Sequence, residues 1–102
     1  MAKWTLAENE KVLGEASASY VTKRMGILPN PHPGKLHITN QRVIHDDMLT
    51  IYFELPLSAI DSFSMGTGKI TLTATDGKTY LITGMFNKKL AAALEEAGLK
   101  KA

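Results

Sequence analysis

The chain has 102 residues, 44 % apolar and 22 % charged, and twelve Lys and Arg against ten Asp and Glu leave a formal net charge of +2. This composition excludes disorder, and the near balance of charge gives nucleic-acid binding no basis in overall electrostatics. No cysteine is present, so disulfides, thiolate zinc sites and thiol nucleophiles are excluded, and a reducing cytoplasm is the expected address.

A chain of this length buries roughly 60 to 65 % of its unfolded surface, enough for one core and one domain over residues 1–102. No apolar run approaches a membrane span, and the start Met1-Ala2-Lys3-Trp4-Thr5 lacks the apolar stretch of a signal peptide. Residues 1–10 read as an N-terminal extension. In it, Thr5-Leu6-Ala7-Glu8 has the spacing of a capping box and predicts a short helical turn, and Trp4 is expected as a lid on the core. Weak alternation of Leu13, Ala16, Ala18, Tyr20 and Val21 predicts a long first strand over 12–21, bent at Gly14. From Lys23 to Lys35, Pro29, Pro31 and Pro33 forbid helix and central strand, which predicts a stiff loop opening on Met25-Gly26-Ile27-Leu28.

Gly34 to His45 is a β-hairpin by its alternation. Leu36, Ile38, Val43 and His45 turn to one face, and the turn falls at Thr39-Asn40-Gln41-Arg42, with Asn40 able to supply a left-handed residue. Leu49, Ile51 and Phe53 alternate toward Pro56 as a further strand. Lys69 to Thr75 and Lys78 to Gly84 form a second hairpin on Asp76-Gly77, expected as a type I′ turn. The β-rich body therefore spans 11–84. A helix over 87–97 follows, capped by Asn87, striped by Leu90, Ala93, Leu94 and Ala97, and stopped by Gly98.

The hairpin string Gly34-Lys35 to Thr39-Asn40-Gln41-Arg42 resembles the signature of the GRAM and bacterial PH-like domains, the YokE-like subgroup among them. The resemblance runs from Glu10 to Leu99, and Leu57 to Phe63 is similar to the family's next element, which implies a fifth strand over 57–63. It implies a mainly β fold, a PH-like barrel of two bent antiparallel sheets with about seven strands and one C-terminal capping helix. One departure is His45, where the family ends its third strand on an aromatic residue.

No set of residues points to catalysis. Serines lack a nucleophile-elbow context, Gly66-Thr67-Gly68-Lys69 lacks the first glycine and the hydroxyl residue of a phosphate loop, and Asp46 and Asp47 point to opposite faces as turn residues. With a two-residue turn, His37 and His45 also face apart. His37 then reads as an exposed strand residue, His45 as a core-rim residue bonded to backbone or water, and His32 completes no metal site. Tyr20, Tyr52 and Tyr80 read as sheet or core residues rather than a stacking platform for bases. The expected chain is no enzyme, takes no cofactor, metal or small-molecule substrate, and binds no nucleic acid.

In PH-like folds the loop between the first two strands often takes anionic phospholipid heads, which implies Lys23, Arg24 and Lys35 here, with His37 where a further basic residue would stand. Ile27 and Leu28 would insert into acyl chains beside them. The reading preferred at this level is that the apolar loop residues cover the barrel end. The function is then a binding or assembly module for another protein or a second copy of itself, through a sheet edge or the groove beside the helix. Peripheral binding to an anionic membrane through 23–35 is the alternative.

Overall fold

A long two-stranded ribbon is the spine of the molecule in the computed structural model, which describes residues 4–47 and 49–102, Arg24 by its backbone alone. Strand β1 (Val12–Arg24) pairs antiparallel with β2 (Leu28–Thr39) along nearly its whole length. Strands β3 (Arg42–Asp46), β4 (Ile51–Pro56), β5 (Ile60–Gly66), β6 (Lys69–Ala74) and β7 (Thr79–Thr83) follow. Helix α1 (Asn87–Glu96) and a two-residue strand β8 (Lys100–Lys101) complete the order.

Two expectations change here. Instead of two sheets and about seven strands, the described residues form one eight-stranded sheet, ordered β4-β3-β2-β1-β7-β6-β5-β8 and open between β4 and β8. The joint is β1 itself: it holds β2 on one edge and, over Ser19 to Val21, β7 on the other, so its bend carries the sheet around the core. The proline-rich stretch, expected as a loop, is also strand from Leu28 onward. Prolines at alternate positions turn their missing N–H groups to the same edge, and β3 pairs with β2 only over Lys35 to Ile38, so no ladder bond is lost. The same residues leave that edge unable to pair with another chain.

The inner face of the sheet and α1 enclose the core. Leu36, Ile38, Val43, Phe53, Leu90 and Leu94, expected inside from alternation and the helix stripe, are all buried there together with Ile60, Ile70 and Leu72. Helix α1 begins one residue earlier than a cap at Asn87 requires, with Phe86 as the cap residue and its carbonyl accepting the Leu90 N–H at 3.0 Å. It ends as expected: Gly98, at φ 94°, makes a turn that costs other side chains strain. The N–H groups of Leu99 and Gly98 donate to the carbonyls of Leu94 and Glu95, closing a Schellman motif.

Turn chemistry differs from expectation at several points. Asn40 is not left-handed; its amide instead bonds the extension, accepting from Lys11 N–H at 2.9 Å and donating to Asn9 carbonyl at 3.1 Å. Only Gly77 of the Asp76-Gly77 pair has positive φ, so that turn is not type I′. Leu57–Ala59 is a single 3-10 turn, and β5 starts after it. Residues 5–8 form no helix, because Glu10 rather than Glu8 reaches back, accepting the Ala7 N–H at 2.8 Å.

Gly34 stands opposite Ala18 where β2 crosses β1, and a Cβ there would run into the backbone carbonyl of Asp46. Gly34→Ala is expected to destabilise the protein by about 2 kcal/mol, because a backbone neighbour yields less readily than a side chain. A melting temperature within a degree or so of wild type would show that the strands separate freely at this point.

Candidate functional site

The tip of the β1–β2 hairpin is the most conspicuous apolar feature of the surface. The chain reverses through Met25 and Gly26, both left-handed at φ 54° and 80°, a handedness that suits the twist of paired strands but costs a residue with a Cβ roughly 1 kcal/mol. Met25, Ile27 and Leu28 are 86 %, 78 % and 54 % exposed as a result. The expectation that they cover the end of the barrel is overturned. A hairpin that pairs out to Arg24 and Leu28 carries its turn clear of the core.

The cations expected beside them do not converge. Lys23 stands opposite Pro29 next to the tip, and Arg24 closes the pairing, its side chain lying outside what the structure describes. Lys35 is opposite Ser17, six residues further along β2 and so about 20 Å away at strand spacing. His37 is further still and, contrary to expectation, only 7 % exposed. Its Nδ1 lies 2.7 Å from Glu15 Oε2 and its Nε2 2.7 Å from Asp46 Oδ1, while Trp4 sits edge-on at 4.9 Å and donates from Nε1 to Asp46. Trp4 is a lid, but over the outer face of the β2–β3 hairpin rather than over the central core. Both nitrogens of His37 are thus taken up internally.

A lysine from β6 lines the groove that leads to the tip instead. Lys23, Ile27, Val21, Leu81, Thr71 and Lys69 line an open groove of about 560 Å³ on the outer face of β1, β7 and β6. Lys69 arrives through the β1–β7 and β6–β7 pairings, and only the order of strands reveals it. The four ion pairs among the described residues all involve His37 or Arg42, so neither groove lysine is neutralised.

The extension that covers this hairpin is held by a buried carboxylate. Glu10 takes Arg42 Nε and Nη2 at 2.8 Å each and the Thr39 hydroxyl at 2.6 Å, while Arg42 reaches Glu54 and the Thr5 carbonyl. The hydrogen bonds from Arg42 hold Glu10 down at a pKa of about 2 against the cost of its burial. The guanidinium is pushed up in turn, chiefly by Glu10. Thr39, Asn40, Gln41 and Arg42, the residues of the resemblance, all serve as brackets between hairpin and extension; Gln41 does so by donating to the Glu8 carbonyl.

The remaining polar groups are committed too. Asp47 caps its own turn through Leu49 and Thr50 and accepts the Tyr52 hydroxyl at 2.7 Å, which lowers its pKa. His45 is fully buried rather than at a rim, and its Nε2–H donates to the Ala18 carbonyl at 2.8 Å. Burial lowers its pKa, and Nδ1 has no partner among the described residues. Tyr20 and Tyr80 pack against the core around Phe53 at 4.9 Å each, and Tyr52 rests on His32 at 4.7 Å beside them. No three His, Asp or Glu among the described residues stand where they could hold one metal ion. No described helix is long and apolar enough to cross a membrane.

Comparisons with known proteins bear on the fold. No family model matches the chain, and no curated protein matches it. Among solved structures it is similar to the C-terminal domain of an unknown protein from Leishmania infantum, at TM-score 0.68 and 15 % identity over 88 % of this chain and 86 % of that one. It is also similar to the PH domain of human pleckstrin homology domain-containing protein family A member 5, at 0.63 and 9 % over 100 % and 89 %. The N-terminal PH domain of human ARAP2 gives 0.55 and 13 % over 94 % and 84 %. The fold is therefore PH-like, mainly β with one helix near the C-terminus.

Proposed function

We propose that this chain is a non-catalytic, cytoplasmic binding module of the GRAM-type, YokE-like kind that docks peripherally on anionic membrane through the tip of its β1–β2 hairpin. The exposure of Met25, Ile27 and Leu28 next to Lys23 and Arg24 carries this reading. Apolar side chains held in water on a hairpin turn gain by entering acyl chains, and the flanking cations add about 1 kcal/mol each near an anionic surface. The contact set is Lys23, Arg24, Ile27 and Leu28, with Lys35 outlying on the same strand face and His37 excluded by its bonds to Glu15 and Asp46. The Thr39 to Arg42 brackets support the subgroup, because they give its motif a structural task in this chain.

Wild-type protein is expected to sediment with acidic vesicles and not with neutral ones, and to release as salt is raised, since exposed charges are screened beyond about 8 Å at physiological ionic strength. Ile27→Ser with Leu28→Ser should abolish binding and leave the melting temperature unchanged. The unchanged melting temperature follows from the exposure of both residues. Absence of wild-type binding at low salt would remove the membrane reading. The second reading, association with another protein or a second copy, rests on β4, whose outer edge, at the end of the sheet, pairs with no strand among the described residues. A native mass showing a dimer in protein that ignores vesicles would put it first.

A further inference from the structure

A second apolar projection stands at the corner between β7 and α1, where Met85 is 89 % and Phe86 47 % exposed, followed directly by Lys88 and Lys89. It lies on the same face as the hairpin tip. Met85 and Phe86 share an outer groove with Ser17, Ser19, Pro33 and Thr83, and the groove beside the tip continues along β1 through Val21 and Lys23. Ser17, Ser19, Val21 and Lys23 are alternate residues of one strand and hence of one face. From Ser17 to the turn at Met25 is roughly 25 Å at strand spacing, inside the 40 Å long axis of the molecule.

This face is free of carboxylates along the way. No Asp or Glu occurs in 16–45, 62–75 or 77–94, the segments that supply β2, β6, β7, the part of β1 beyond Glu15 and the first two turns of α1. The nearest acidic residue is Glu15, next after Ser17 on the outer face of β1 and bonded to His37, and the others lie in the extension, at the β3–β4 end, at Asp61, in the Asp76 turn, and at Glu95 and Glu96 at the far end of α1. Lys23, Lys35, Lys69, Lys88 and Lys89 are exposed and join none of the ion pairs among the described residues. A net charge of only +2 thus conceals a stretch without carboxylates between Ser17 and the tip.

We infer that Met85 and Phe86, flanked by Lys88 and Lys89, form a second anchor on an anionic bilayer, so that the protein docks along the outer face of β1 and β7 with two apolar points of insertion. The inference rests on the membrane reading above and adds the orientation of the bound molecule. An anionic bilayer is the occupant whose chemistry matches both observations, exposed lysines with no carboxylate between Ser17 and the tip and apolar side chains at each end of that stretch, because a bilayer offers a headgroup plane and hydrocarbon beneath it. An acidic protein would match the charge, but would need a pocket for each projection.

The chain lacks cysteine, so single labelling sites can be made without background. Ile27→Cys, Met85→Cys and, on the opposite side, Glu54→Cys would each carry an environment-sensitive fluorophore. Each labelled protein would be mixed with vesicles of phosphatidylserine and phosphatidylcholine or of phosphatidylcholine alone. The expected result is a blue shift at positions 27 and 85 on the acidic vesicles, and none at 54. Met85→Ser with Phe86→Ser should weaken sedimentation about tenfold. A shift at 27 without one at 85, with undiminished binding of the corner variant, overturns the second anchor and leaves the tip reading standing. No shift at any position overturns both. A shift at 54 as large as those at 27 and 85 overturns the orientation.

Discussion

Arg42→Met is expected to destabilise the protein by about 3 kcal/mol at neutral pH and by far less at pH 2. The cost arises because Glu10 is buried and charged, and Arg42 supplies two of its hydrogen bonds and its counter-charge. Removing one partner of such a pair leaves the other unpaired inside, a loss of about 3 to 5 kcal/mol, and the partial exposure of Arg42 points to the lower end. The pH dependence follows from the direction of the shift. Glu10 titrates at about 2 when folded, below its ordinary 4.5, so its contribution is complete above 4.5 and is lost as the pH falls from there toward 2. Urea denaturation of both proteins across that range should show the gap closing as the carboxyl is protonated. A gap that stays constant would mean that the stacking of the Arg42 guanidinium over Trp4, 5.4 Å from the ring centre, rather than the ion pair, is what the variant removes.

Leu94→Ala is expected to cost about 3 kcal/mol. Leu94 is wholly buried where α1 closes the open mouth of the sheet, and its carbonyl also anchors the Leu99 N–H that turns the chain into β8. Truncation removes buried hydrocarbon and leaves a cavity that the surroundings cannot fill by collapse. On the side facing β1 the helix is held at a fixed distance: a Cβ on Gly14 would lie 2.7 Å from Ala93 Cβ, so α1 already rests on bare backbone there. The measurement is the urea midpoint, with the slope unchanged. A loss below about 1 kcal/mol would show that α1 is loosely docked and that the core is closed by the sheet alone.

The inner face was legible along the chain because burial on one side of a strand or helix leaves a period that the chain itself carries. Leu36, Ile38 and Val43 follow a period of two, Leu90 and Leu94 a helical stripe, and Gly98 a stop whose φ no neighbour has to impose. What the outer face does depends on which strand lies along each edge, and that is a property of distant segments. Pro29, Pro31 and Pro33 forbid a central strand in general but are harmless on β2, because β3 ends before reaching them. His37 alternates as an exposed residue would, and is buried because Trp4 and Asp46 arrive from 33 residues before it and nine after it. Ile27 and Leu28 read locally as an apolar plug, whereas pairing out to Arg24 carries them into solvent. Lys35 is separated from Lys23 by the length of a strand, while Lys69 reaches the groove beside Lys23 across two strand pairings. Residue patterning therefore determined which side chains form the core, since solvent exclusion acts on each element separately. Which charges and apolar groups share the outer face was decided only by strand order and hairpin length, because pairing joins residues that no local periodicity relates.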